Sequence, residues 1–401
     1  MSRGPYVLAL GLSVFVVGLS TTGPVSGQAP AKPAQPARDG QLRSELSLMS
    51  RTVTVAYAPD LRADDSAYRA LQEANPSADA RVRIAGLTAT GPVLVNALEI
   101  GKPAGRPDPA GMRYDVWLQG KGDGWQIELT DVPKDAAAKP TVVGQVPLTR
   151  TVGAAAVPTL VAALLPENGD TGRLTLRWGR FEASADLKFP VLPIPDLTAG
   201  DRPNVPTNRA HDEDLSIALR FIMLSQRSES ALVPPSGRRA SVQFQRTFVS
   251  GERLGNAAGT RTSPGLPTDG PDFARLMSTP VGAVVQLTRA SVPRFKNEGP
   301  IRFGKTVIAT GNQVPGTPGL YGIWLKRVGN GWRLVFNHEP DVWGTQYDPK
   351  HTVAEVELTH SETGASSRPF SVALVPTAAD RGRLVILWGP HEWSTEYVAQ
   401  S

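Results

Sequence analysis

The sequence predicts an all-β protein, two tandem antiparallel β-sandwich modules related by internal duplication, and two observations carry that expectation. The first is a pair of segments, residues 112–133 (MRYDVWLQGKGDGWQIELTDVP) and 320–347 (LYGIWLKRVGNGWRLVFNHEPDVWGTQY), that read strand, tight turn, strand. They carry Trp at matching places, Trp117 with Trp324 and Trp125 with Trp332. The second is constant spacing. Counterparts lie 207 residues apart in this segment, and 210 apart downstream, where GRLTLRWG from Gly172 answers GRLVILWG from Gly382. High Gly and Pro content and few long helical periods point the same way.

Each hairpin follows from period-two alternation. Tyr114, Val116 and Leu118 share one face of the outgoing strand, and Trp125, Ile127 and Leu129 one face of the return. Tyr321, Ile323 and Leu325, then Trp332, Leu334 and Phe336, repeat the pattern. Asp123-Gly124 and Asn330-Gly331 tolerate the positive φ angles of a hairpin turn.

In chain order, residues 1–27 read as a signal peptide. Arg3 precedes an apolar run from Tyr6 to Leu19, too short to span a bilayer, and small residues end at Gly27. The expected location is periplasmic or secreted, with no membrane span after cleavage. The chain has no Cys, which excludes disulfides, thiolate nucleophiles and Cys metal ligands. Residues 28–44 read as a Pro/Ala-rich tether.

The first module, 45–190, opens on a strand through Val53, Val55 and Tyr57, followed by a short helix over 65–74 where Ala67, Leu71 and Ala74 recur. More strand is expected over 81–100, limited by Pro92, and then the hairpin and strands near 142–148, 160–165, 174–178 and 183–189. Residues 191–214 are dense in Pro and form the expected linker. The second module, 215–401, starts in a stretch that fits a helix by its acidic start and later Arg220 and Arg227, but where Ile217, Leu219, Phe221 and Met223 alternate as a strand does, and strand is the expectation beside a β module. Residues 256–279 read as a long irregular loop. The net charge of +5 comes from scattered Lys and Arg, with no basic stripe, so nucleic acid is not an expected partner.

The second module resembles the family catalogued as domain of unknown function 2911, a group of exported bacterial proteins. The resemblance rests on Gly319, Tyr321, Trp332, Asn337, Trp343 with Gly344, Tyr347, then Leu384, Trp388 and Gly389. Upstream, Phe244, Arg246, Val249 and Gly251 fit the family's Tyr-x-Arg-Pro segment, and Pro280, Gly282 and Val284 its Pro-x-Gly-x-Val segment. The Trp-Arg that follows in the family is Val285-Gln286 here, and the first module lacks any Trp-Gly-x-x-Tyr. The resemblance implies a fold and an export address, and no chemistry.

No nucleophile elbow, P-loop, dinucleotide fingerprint or HExxH is present. His338 and His391, with His351 and His360, are the candidate metal ligands, but their spacing fits no metal motif, and no cofactor is expected. Glu182 and Glu392 match between modules without a second matched carboxylate, and Arg173 and Arg383 are placed to pair with them. Trp343, Tyr347, Trp393 and Tyr397 are the candidate ligand-binding residues, since flat aromatics on a β face stack on sugars or apolar ligands. The competing reading has them capping the core. The expected function is an exported, non-enzymatic binding or interaction protein. Its partner would be a small molecule, a glycan or an envelope protein, taken on the second module. The alternatives are a metal- or carboxylate-dependent hydrolase of the cell envelope and a structural spacer.

Overall fold

The computed structural model describes residues 40–48, 51–71, 81–101, 111–121, 124–133, 135, 137–167, 170–190, 228–244, 268, 271–288, 292–310, 319–339, 347–362 and 368–400. The signal peptide, residues 28–39 of the tether, the linker, the strand expected near residue 217, and Trp343 lie outside the described residues.

The first half holds β1 (Leu42–Leu48), β2 (Arg51–Tyr57), β3 (Arg81–Ala89), β4 (Val93–Val95), β5 (Leu98–Ile100), β6 (Met112–Lys121), β7 (Gly124–Asp131), β8 (Val142–Pro166) and β9 (Thr171–Lys188). The second holds β10 (Ser228–Val233), β11 (Ala240–Phe244), β12 (Val284–Val285), β13 (Arg294–Asn297), β14 (Ile301–Phe303), β15 (Thr306–Ile308), β16 (Leu320–Val328), β17 (Gly331–Asn337), β18 (Thr352–Glu362), β19 (Ser371–Ala378), β20 (Arg381–Trp388) and β21 (His391–Ala399). The expected tether end at residue 44 is corrected: Leu42 already opens β1, because Leu42, Leu46 and Leu48 alternate into the core.

Antiparallel pairing runs without a break through β8–β7–β6–β3–β2–β1–β10–β11–β13–β16–β17–β18. The two halves therefore join edge to edge through β1 and β10 in one large sheet. The last part of β8 with β9, β4 and β5, and β19–β20–β21–β14–β15 in the second half, make further antiparallel pairs. One continuous apolar core spans both halves.

Register repeats from half to half. The row Ser44–Val55–Leu87–Tyr114 is answered by Ser230–Val242–Phe295–Tyr321. Trp125 opposite Leu148 is answered by Trp332 opposite Leu358, and both ladders shift register at the same place, after Leu129 and after Phe336. Thr149 opposite Ser184 recurs as Thr359 opposite Ser394. Even the buried Arg51, which donates to the Pro92 and Pro190 carbonyls, has its counterpart in Arg238, which reaches the Gln400 carbonyl. Burial pulls the Arg51 guanidinium down to about 10, partly offset by Asp170.

At the seam Glu45 lies opposite Ala231, flanked by Ser44 opposite Leu232 and Leu46 opposite Ser230, so the pairing is self-complementary about that central pair. Ser44 Oγ accepts the Leu164 N–H at 3.0 Å, and Ser230 Oγ accepts the Leu374 N–H at 3.1 Å, both buried. Replacing either Ser with Ala strands a buried donor. Ser44→Ala and Ser230→Ala should each cost about 1–3 kcal/mol and by similar amounts, read from denaturant midpoints.

Two helices sit beside Trp-Gly pairs. α1 (Ser66–Ala70) is shorter than the helix expected over 65–74, and Asp65 Oδ1 accepts the Tyr68 N–H at its start. α2 (Pro271–Met277) corrects the end of the irregular loop expected over 256–279, most of which lies outside the described residues: seven residues are too few to display a helical period, and Leu276 is fully buried. Tyr68 lies 5.2 Å from Trp178, and Phe273 lies 5.3 Å from Trp388. The glycines after these tryptophans adopt φ 56° at Gly179 and 59° at Gly389, a region that favours Gly. A side chain at Gly179 would also collide with the Tyr68 hydroxyl.

Candidate functional site

β16 is covered on both faces. Tyr321, Ile323 and Leu325 point into the core, while Trp324 points outward and gathers Val292 and Val335, with Val284 and Tyr347 packed against them. This small apolar cluster is separate from the main core. Beside it lies an open cleft of about 450 Å³, lined by Arg275, Ser278, Thr279, Val284, Gln286, Trp324 and Tyr347 among others. Arg275 is fixed by an ion pair to Asp272 at 3.3 Å and by donation to the Gln286 carbonyl at 2.7 Å. Tyr347 lies 5.5 Å from Trp324, and its hydroxyl pairs with that of Thr352 at 2.5 Å. The Trp324 Nε1 has no hydrogen-bond partner among the described residues.

The chain between β17 and β18 brings Tyr347 there, and Asn337 holds that connection. Asn337 is buried, donates to the Asp348 carbonyl at 3.0 Å and accepts the Glu339 N–H at 2.8 Å. Thr130 opposite Val142 in the first half becomes Asn337 opposite Thr352 in the second, a connection three residues longer. The first half thus has no Tyr347 counterpart. There Trp117, equivalent to Trp324, is covered by Arg81, whose guanidinium lies 4.7 Å from the ring, and its Nε1 donates to Thr130.

The expected ligand contacts divide. Tyr347 lines the cleft, but Trp393 is 0 % and Tyr397 2 % exposed, so the binding role expected for these two is corrected to a core role. Both point inward because alternation along β21 puts them on the same face as the buried His391. Burial raises the Tyr397 hydroxyl far above its ordinary value. The sequence marks none of Trp324, Arg275 and Gln286 as a ligand contact. Trp324 reads as one residue of a hairpin, and which face of a doubly covered strand is open has no local signature.

The histidines also divide. His338 packs at a tilt against Tyr321, ring centroids 5.7 Å apart, and His351 lies 3.7 Å from Glu339 and 3.9 Å from Asp348. Burial, with the nearby His351, lowers the His338 imidazole. His391 is elsewhere, so the two expected metal candidates do not meet. His391 instead gathers with His360 and Glu362, their donor atoms all within 4.8 Å. The β18–β21 register does this: His360 opposes Trp393 and Glu362 opposes His391, with the two His on a diagonal. His360 Nε2 is 3.1 Å from His391 Nδ1, and Glu362 Oε1 is 3.5 Å from it. His360 stacks on Trp393 at 5.1 Å, and Phe273 lies 5.7 Å from His391. Burial lowers the His360 imidazole, His391 adds to that, and Glu362 opposes it.

The matched glutamates are structural. Glu392 accepts from Arg383 at 2.6 Å, as expected. Glu182 pairs with Arg177 at 3.6 Å instead, because Arg173 turns to Glu167 and Asp186.

Fold and cleft together define an all-β protein with an open recess on the outer face of its second half. Within it, residues 296–396 match the family described as Protein of unknown function (DUF2911), which bears out the resemblance read from the sequence over that range. No curated protein and no solved structure matches the chain. Among the described residues no helix is long and apolar enough to cross a membrane.

Proposed function

We propose that this is an exported, non-enzymatic binding protein whose ligand site is the cleft over Trp324. The observation that carries the reading is the meeting of Tyr347, Trp324 and Arg275 around one recess of about 450 Å³ in the second half. An aromatic wall beside a guanidinium suits a small ligand with a flat apolar face and a polar edge, such as a saccharide. The export part rests on residues 1–27.

We also infer that the halves descend from one duplicated unit, of which the second kept or gained the longer β17–β18 connection. Supporting this are the shared registers and the shared bulge position. A metal- or carboxylate-dependent hydrolase is the second reading, favoured by one observation, the His360–Glu362–His391 cluster.

The test titrates a panel of monosaccharides and disaccharides against the protein by ligand-observed NMR. Losing one stacking ring costs about 0.5–1.5 kcal/mol, so Tyr347→Ala should weaken binding roughly threefold to tenfold. Saccharide binding indifferent to both Tyr347→Ala and Arg275→Gln would sink this reading, and so would a panel without a single binder.

A further inference from the structure

We propose that His360, Glu362 and His391 form a site for one divalent transition-metal ion, of which zinc is the natural occupant by donor type. Imidazole nitrogen with a carboxylate oxygen is the donor set such ions prefer. The spacing fits as well. Two nitrogens at about 2.0–2.1 Å from a tetrahedral ion lie about 3.3 Å apart. The cluster shows 3.1 Å between the imidazole nitrogens and 3.5 Å from His391 to the carboxylate. Two facing ring nitrogens cannot both present lone pairs to each other without a proton between them, whereas an ion takes both.

The surroundings suit a held ion. Trp393 backs His360, Phe273 backs His391, and His391 is nearly buried. Glu362 is 65 % exposed, which leaves one side open to water and to an entering ion. The site is absent from the first half for a packing reason. There Phe181 holds the place of His391 and packs edge-on against Trp125 at 5.4 Å, and Arg150 covers both rings. In the second half Trp393 takes over that packing against Trp332 at 5.9 Å, which frees the neighbouring position for a histidine. The three ligands share no residue with the cleft lining.

The test is a cobalt(II) and zinc titration of the full-length protein. One equivalent per chain should bind, with visible cobalt absorption from a low-coordinate nitrogen and oxygen site that zinc displaces. His360→Gln and His391→Phe, the latter placing the first half's residue there, should each weaken uptake at least about tenfold, since even outer-sphere partners matter by that factor. Glu362→Gln should weaken it while leaving the thermal midpoint of the metal-free protein unchanged. Uptake untouched by these three variants, uptake abolished instead by His351→Gln, or no saturable uptake by the folded wild type would each overturn the site.

Discussion

Trp178→Ala and Trp388→Ala should each lower stability by about 3–5 kcal/mol, the range for deleting a buried large aromatic. Both indoles are 0 % exposed. Each is also the surface on which its half's helix rests, Tyr68 on Trp178 and Phe273 on Trp388, with Phe370 also packing on Trp388 at 5.0 Å. Truncation therefore opens a cavity and loosens α1 or α2 together. Guanidinium denaturation measures the cost, and hydrogen exchange should show the helix amides opening early in the variant of the same half. Comparable losses are expected from the two substitutions. A loss below about 1 kcal/mol in either would mean that its indole is not a core element.

Arg239→Met should be the next most damaging change, by about 2–3 kcal/mol, somewhat under the about 3–5 for breaking a fully buried pair. Arg239 Nε meets Glu45 of the first half at 3.0 Å, and Nη1 meets Glu229 at 2.8 Å, with all three side chains a quarter exposed or less. Removal leaves two carboxylates near each other on adjacent strands of the seam. Burial alone would raise the Glu229 carboxyl, but the Arg239 hydrogen bond and charge outweigh it and hold it below its ordinary value. The unfolded chain then binds more protons than the folded one as pH falls. The stabilisation is complete above the unfolded carboxyl value of about 4.3 and disappears as pH drops through the lower folded value. In Arg239→Met that stabilisation is gone, and acid unfolding should begin at higher pH, measured by circular dichroism.

Much of the frame was legible because it is local. Period-two alternation and the Gly turns at Asn330-Gly331 located the hairpins, and the constant spacing located the equivalent strands. What stayed hidden depends on long-range register. Nothing in LRSELSL announces that it pairs with SESALV some 186 residues later, because a strand edge has no partner-specific residues. The same holds for the histidines. His360 and His391 meet only through the diagonal of a cross-strand pair 31 residues apart in sequence, and nothing local to Glu362, the last residue of β18, ties it to them. Aromatic residue type, likewise, does not reveal exposure. Trp393 and Tyr397 filled the core, while Trp324, within the same kind of pattern, faced outward.

The direct test of the shared sheet is a cross-link across its seam, made simple by a chain with no cysteine of its own. Arg43 and Val233 lie directly opposite each other on β1 and β10, within the Cα separation a disulfide needs. Arg43→Cys with Val233→Cys should oxidise to an intramolecular disulfide under mild air oxidation, while Arg43→Cys with Ala231→Cys, two residues out of register, should not. Efficient closure of the first pair alone is the predicted result, and closure of neither pair, or of the second in preference, would contradict the joined architecture.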